Sequence, residues 1–173
     1  MKEAGSGVSI VTLANAIADR GTEPVLVDLG PFALVGEVDV EEEKGWAFST
    51  AVMVAPHLAD QVGAGLDFDR GIVYPLVKRT VRFPTVILVG RSSSNDVQIA
   101  HHSISKLHAR IRVEGDVFEV EDAGSLNGTF AGGTRITAPV TMTAGDRLGL
   151  GTQDFFVHSS ARLVDVLRRI GRL

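Results

Sequence analysis

Four clusters in the second half of the chain carry side chains suited to chemistry. They are Gly90-Arg91, Ser105-Lys106-Leu107-His108, Ser125-Leu126-Asn127-Gly128-Thr129 and Ala144-Gly145-Asp146. An arginine presents a planar fork of donors that grips an oxyanion at two points, which makes Arg91 the best anchor for one. Ser105 adds a hydroxyl donor and Lys106 a second positive charge. Asn127 offers a donor and an acceptor together, which suits holding a peptide main chain. Gly128, next in the chain, can take the positive φ of a tight turn. No nucleophile stands with a base and a group to orient it. The set therefore reads as a binding site for an anion, and the chain is expected not to be an enzyme.

Such residues need rigid supports, and the pattern from about residue 71 onward supplies them. Short strands are predicted near residues 72–78, 86–90, 96–99, 108–113, 117–121, 129–130, 140–143, 147–149 and 154–158. Arg110-Ile111-Arg112-Val113 alternates as a half-solvated strand must, and so does Val117-Phe118-Glu119-Val120-Glu121. Glu114-Gly115-Asp116 between them is a hairpin turn. Many short strands with such punctuation predict a β-sandwich, and each of the four clusters falls at a strand end or in the following loop, where binding residues gather. A helix over residues 161–170 closes the chain, with Leu163, Val166, Leu167 and Ile170 on one face, a cap at Ser159 or Ser160, and Gly171 to stop it.

Residues 1–70 have a different texture. Residues 8–20 read as a helix: Val8, Val11, Ala14 and Ala18 recur at helical spacing, Ile10, Leu13 and Ile17 widen the stripe, and Gly21 is the stop. Residues 24–29 read as a short buried strand and 32–40 as a second. Residues 41–45 form a solvated turn, 46–54 a further strand and 56–62 a short helix. This is a small α/β segment of unknown role, so the expected organisation is 1–70 followed by 71–173.

Composition narrows the function. The 173 residues include no Cys, which excludes disulfides, thiolate metal sites and a cysteine nucleophile. The net charge of −4 argues against bulk binding to nucleic acid. Charge is uneven: residues 1–80 hold 12 acidic and 6 basic side chains, residues 81–173 hold 9 and 11, so the second half is the better host for an anion. No apolar run approaches the ~18 residues that span a bilayer. No signal peptide is read at the start, and the expected location is the cytoplasm.

The stretch from about residue 73 to 157 resembles a forkhead-associated (FHA) domain, a reader of phosphothreonine peptides. The resemblance is carried by Gly90-Arg91, Asn95-Asp96, Ser105-x-x-His108, Asp122, Asn127-Gly128-Thr129 and Gly145-Asp146, in register over roughly half the chain. It implies a mainly β fold: an FHA-type sandwich of about ten to eleven short strands with a C-terminal helix, preceded by the small α/β segment. It implies that Arg91 and Ser105 bind the phosphate, that Lys106 adds a phosphate or backbone contact, and that Asn127 holds the peptide main chain. Gly90, His108, Gly128 and Thr129 would hold the loops in shape. Leu126 departs from the Thr or Ser common at that position, which removes a hydrogen bond and puts apolar surface beside the site. The implied partners are a phosphothreonine protein or peptide and, upstream, a Ser/Thr protein kinase. Neither nucleic acid nor membrane is expected as a partner, and no cofactor is expected.

Three other readings fall away on their chemistry. The adjacent pair His101-His102 cannot place both rings on one strand face, and no carboxylate lies near, so no metal site is expected. Ala4-Gly5-Ser6-Gly7-Val8-Ser9 lacks the Lys-Ser/Thr that a phosphate-binding P-loop requires. The arginine-bearing terminal helix is read as packing on the sandwich. The alternative function is a phosphate-independent scaffold that binds through residues 1–70 or the terminal helix.

Overall fold

The computed structural model describes residues 7–37 and 70–170. Twelve strands and three helices are found among them. In chain order they are β1 (Val8–Ser9), α1 (Ile10–Arg20), α2 (Thr22–Leu29), β2 (Phe32–Glu37), β3 (Gly71–Pro75), β4 (Ile87–Gly90), β5 (Val97–Gln98) and β6 (Ala109–Glu114). Then come β7 (Val117–Asp122), β8 (Thr129–Ala131), β9 (Thr134–Arg135), β10 (Val140–Thr143), β11 (Arg147–Leu150), β12 (Gln153–Ser159) and α3 (Ser160–Ile170). The strands form a seven-stranded sheet, β1-β3-β2-β12-β11-β8-β9, and a five-stranded sheet, β10-β7-β6-β4-β5. Neighbouring strands are antiparallel apart from β4 and β5, which run parallel. The fold is the mainly β two-sheet sandwich with a C-terminal helix that the sequence predicts.

Two apolar cores hold it together. The first joins the two sheets and includes Leu34, Tyr74, Ile111, Phe118, Leu148 and Phe155. The second joins the outer face of the larger sheet to the helices, through Ile10, Leu13, Val25, Leu29, Leu163 and Leu167. Strand β2 serves both. Its side chains alternate by the two-residue period of a strand, so Phe32 and Leu34 enter the first core and Ala33 and Val35 the second. A strand buried on both faces has no solvated side, and Phe32-Ala33-Leu34-Val35 accordingly contains no polar residue.

β2 lies between β12 and β3 and is hydrogen-bonded to both. The segment 1–70 thus supplies an interior strand of the sandwich, and a division at residue 70 cuts through this sheet. The predicted turn at 41–45, strand at 46–54 and helix at 56–62 lie outside the described residues.

The helices are set by local signals, though the one predicted over 8–20 begins only at Ile10, because Val8–Ser9 pairs with β3, and it buries Ile10, Leu13 and Ile17 while Val11 is exposed. Ser9 caps α1, its hydroxyl oxygen accepting from the Thr12 N–H at 3.1 Å, and Gly21 closes it with an N–H bond to the Ile17 carbonyl at 3.0 Å. Residues 24–29, predicted as a strand, instead form most of α2. Pro24 sits in the first turn, where the missing N–H has no intrahelical partner to lose. The helical period then buries Val25 and Leu29 together and leaves Val27 78% exposed; a strand would have put Val25 and Val27 on the same face. α3 starts where the Ser160 N–H bonds the Pro31 carbonyl, with Ser159 capping the Arg162 N–H. Its apolar face, including Leu163 and Leu167, packs in the second core, and Arg162, Arg168 and Arg169 are solvated. None of these helices is long and apolar enough to cross a membrane.

The Leu34 side chain is fully buried between the sheets. Replacing it with Ala should cost about 2–5 kcal/mol of stability, read as a lowered denaturation midpoint in urea. An unchanged midpoint would mean that β2 is not an integral strand of the sandwich.

Candidate functional site

Three loops meet at one end of the five-stranded sheet: residues 91–96 after β4, 99–108 between β5 and β6, and 123–128 between β7 and β8. Each is held by buried polar groups. At the first, Gly90 lets two backbones approach closely. A Cβ there would lie 2.5 Å from the Lys106 carbonyl oxygen and 3.0 Å from the Leu107 Cα. In that space the Arg91 N–H reaches the Ser105 carbonyl at 2.9 Å, and the Asn95 Nδ2 donates to the carbonyls of Lys106 and Ser92. Asp96, fully buried, gathers the N–H groups of Arg79, Thr80 and Leu88 and the Lys78 ammonium. Burial alone would raise its carboxyl pKa, but these donors outweigh burial and hold it below the ordinary carboxylate value.

The second and third loops are joined by His108. Its Nδ1 accepts the Ser105 N–H at 3.1 Å, and its Nε2 lies 3.0 Å from the Gly128 carbonyl oxygen. A backbone N–H can only donate and a carbonyl can only accept, so the ring is neutral with its proton on Nε2. Burial pushes its pKa below the usual histidine value, against the Gly128 carbonyl and the Asp122 charge, which act the other way. With both nitrogens engaged and no exposed surface, His108 braces the loops and has no atom left for proton transfer.

Asp122 organises the third loop. It accepts the N–H groups of Gly124 and Ser125 and the hydroxyls of Ser125 and Thr129. Burial opposes its ionisation, yet the four donors hold its pKa low. The Ser125 oxygen then accepts the Gly128 N–H at 2.9 Å, and Gly128 holds φ at +88°.

On this frame the predicted ligand-facing residues come together. Ser105 is half-buried, and its hydroxyl oxygen accepts the Leu126 N–H at 3.0 Å, which leaves its proton to donate elsewhere. Arg91 is exposed. Its Nε donates to the Ile104 carbonyl at 3.2 Å, and the two terminal nitrogens remain as donors. Lys106 is exposed next to Ser105. Among the described residues no carboxylate pairs with Arg91 or Lys106. Asn127 is exposed, and its Nδ2 donates to the Ser103 carbonyl at 2.8 Å, which leaves Oδ1 as an acceptor. Leu126 stands out at 85% exposed, with its backbone fixed by Ser105. Gly145 and Asp146, by contrast, form a separate turn in which Asp146 accepts the Thr143 N–H.

The sequence reading missed three supports. Ser103 gives its carbonyl to Asn127, while its hydroxyl contacts His101 Nδ1 and accepts the Thr152 N–H. Gly151 makes room for it, since a Cβ there would lie 2.5 Å from the Ser103 carbonyl oxygen. Ser125, named in its cluster but given no role, is the third, and here a signal exists: Asp122-x-Gly124 has the spacing of an Asx turn, which brings the Ser125 N–H and hydroxyl to the same carboxylate. Nothing local marks Ser103 or Gly151, which are 48 residues apart in sequence. His101 and His102 stack at 4.3 Å, and among the described residues no group of three or more His, Asp or Glu side chains is placed to hold a metal ion.

Residues 87–151 match the family model of the FHA domain. The glycogen accumulation regulator GarA of Mycolicibacterium smegmatis is 36% identical over 62 residues, which cover 36% of this chain and 39% of the relative. The oxoglutarate dehydrogenase inhibitor of Corynebacterium glutamicum is 37% identical over 62 residues, covering 36% and 43%. This chain thus spans less than half the length of these curated relatives. The crystal structure of the FHA domain of the CT664 protein from Chlamydia trachomatis aligns with a TM-score of 0.41 at 30% identity, covering 43% of this chain and 76% of that one.

The His108 brace makes stability depend on pH. The unfolded chain protonates this residue as pH falls through about 6.5, whereas the folded ring resists. Stability should be full above that pH and decline as pH drops toward the lower folded value. Urea midpoints at about pH 7.5 and about pH 5.5 test this, and the part of the decline due to this residue should be missing in His108→Gln. Gly90→Ala should cost about 1–3 kcal/mol because backbone, not a flexible side chain, occupies the space.

Proposed function

We propose that this chain, whose residues 87–151 match the FHA domain model, reads phosphothreonine in a partner protein and acts as a non-catalytic adaptor. The carrying observation is the hydroxyl of Ser105. Its oxygen is filled by the Leu126 N–H, so its proton is directed to a ligand, and Arg91 is tied to the same residue through a 2.9 Å backbone bond. A phosphate monoester presents oxygens that such a hydroxyl and a guanidinium can share. Lys106 adds charge at the rim. Asn127 Oδ1 accepts a peptide N–H beside the phosphothreonine, and the ligand's methyl group discriminates against phosphoserine.

In this reading the ligand is made by a Ser/Thr protein kinase, and the chain captures the product in the cytoplasm. Recognition follows the rule for phospho-motif readers, in which affinity rests on charge-assisted hydrogen bonds to the phosphate. The acidic groups nearest the site, Asp96 and Asp122, are each surrounded by donors of the frame. They therefore do little to repel the phosphate.

The test is a calorimetric titration of the full chain with phosphothreonine, phosphoserine and unphosphorylated peptide pools. Binding is expected for the phosphothreonine pool. Arg91→Ala should lose about 2–5 kcal/mol of it, at least ~30-fold in affinity, with little change in thermal stability because Arg91 is exposed. Binding should also weaken below about pH 6, where the phosphate loses its second charge. Equal binding of the unphosphorylated pool would overturn the proposal and favour a phosphate-independent scaffold acting through residues 1–70 or the terminal helix.

A further inference from the structure

The end of the five-stranded sheet away from the ligand-facing loops carries charges and apolar side chains that the fold does not use. β4 and β6 are antiparallel with Ile87 opposite Ile111, and β6 turns into β7 with Glu114 opposite Val117. The segment that enters β4 and the hairpin Glu114-Gly115-Asp116 therefore lie at the same end of the sheet. The loops after Gly90 and Asp122 and before Ala109 lie at the other end.

The segment entering β4 is firmly rooted and apolar at its tip. The N–H groups of Arg79 and Thr80 both reach the buried Asp96, and the Val86 N–H bonds the Phe83 carbonyl at 2.9 Å. Between these anchors Val81 is 96% exposed and Phe83 63% exposed. Phe83 holds φ at +50°, the one positive value at a non-glycine position among the described residues. A bulky residue there is strained, and such strain gathers at working surfaces. Val117, beside the neighbouring hairpin, is exposed as well.

Charges of both signs stand at this end. Arg79 and Arg82 on the segment, and Glu114 and Asp116 on the hairpin, are all exposed, and none has an ion-pair partner among the described residues. Elsewhere Lys78, Arg110, Arg112 and Arg147 each pair with a carboxylate. Two cations and two carboxylates left unpaired at one end are complementary to the same end of another copy, because a two-fold axis brings each segment to the other's hairpin. A flat anionic membrane would meet Glu114 and Asp116 together with the arginines, and so fits this end less well.

We propose that this end is an interface with a second copy of the chain. Val81 and Phe83 meet about the two-fold axis, and Arg79 and Arg82 of each copy face Glu114 and Asp116 of the other. The patch is smaller than a standard stable interface, so the dimer is weak and forms as concentration rises. The ligand-facing loops of the two copies point away from each other. On the phosphopeptide reading above, the dimer then holds two phosphorylated sites at once.

The experiment is sedimentation velocity of the full chain, without ligand, over about a hundredfold range of concentration. The wild type should move from monomer toward dimer. Phe83→Ser, the pair Arg79→Glu and Arg82→Glu, and the pair Glu114→Arg and Asp116→Arg should each weaken association at least ~tenfold, since every substitution acts twice in a two-fold interface. A mixture of the two charge-reversed proteins should recover association as a heterodimer, with opposite charges facing again at both contacts. Thermal midpoints near that of the wild type show that the variants are folded, as these positions are exposed. A wild type that stays monomeric throughout overturns the interface. So does a dimer unchanged by all three variants, or a mixture that remains monomeric. No phosphopeptide is present, so any of these failures leaves the phosphopeptide reading standing, and failure of that reading leaves the interface.

Discussion

The neutral imidazole of His108 links the ligand-facing loops. It accepts from Ser105 on one side and lies against the Gly128 carbonyl on the other, so the hydroxyl-bearing loop and the asparagine-bearing loop hold a fixed separation. The rest of the site is built outward from this bridge. Ser105 completes it by accepting the Leu126 N–H, and Asn127 reaches back to Ser103. Such networks are rigid when every member is satisfied and costly when one is not. The cost of leaving the buried His108 and Ser103 unpaired helps keep the loops in place.

The electrostatic arrangement follows from the same principle. The chain as a whole is acidic, at −4, yet the loops around Ser105 carry the exposed cations Arg91 and Lys106. The two carboxylates nearest the loops, Asp96 and Asp122, are turned inward and wrapped in N–H and O–H donors. A carboxylate satisfied in this way organises backbone and contributes little repulsion outside. Arg91, Lys106 and Arg135 are exposed.

The frame that carries these loops depends on a strand from far upstream. β2 enters the larger sheet between β3 and β12 and divides its side chains between two cores. The three helices cover the outer face of that sheet, and α3 docks where the Ser160 N–H bonds the Pro31 carbonyl at the entry to β2. The first and last parts of the described chain therefore close over one another, and the five-stranded sheet with its loops is packed against a strand that a motif-based boundary would omit.

Features whose physics is local could be read directly from the residues. The alternation in Arg110-Ile111-Arg112-Val113, the turn at Glu114-Gly115-Asp116 and the stop at Gly21 were legible, since each depends on side-chain period or a glycine's freedom; Ser9, read as part of a helix over 8–20, proved to be its cap, and Arg91, Ser105 and Asn127 were legible as residue types and through the family resemblance. α2 was misread because Val25-Leu26-Val27 is apolar under either period, and a short apolar run does not declare whether it is helix or strand. The tertiary structure decided what distance along the chain hides. It set β2 between β3 and β12, placed Ser103 under Asn127 with Gly151 against it, and folded Arg135 over Gly128. No pattern within a few residues encodes these contacts. They arise when two sheets close on a shared core and bring loops together from separate parts of the chain.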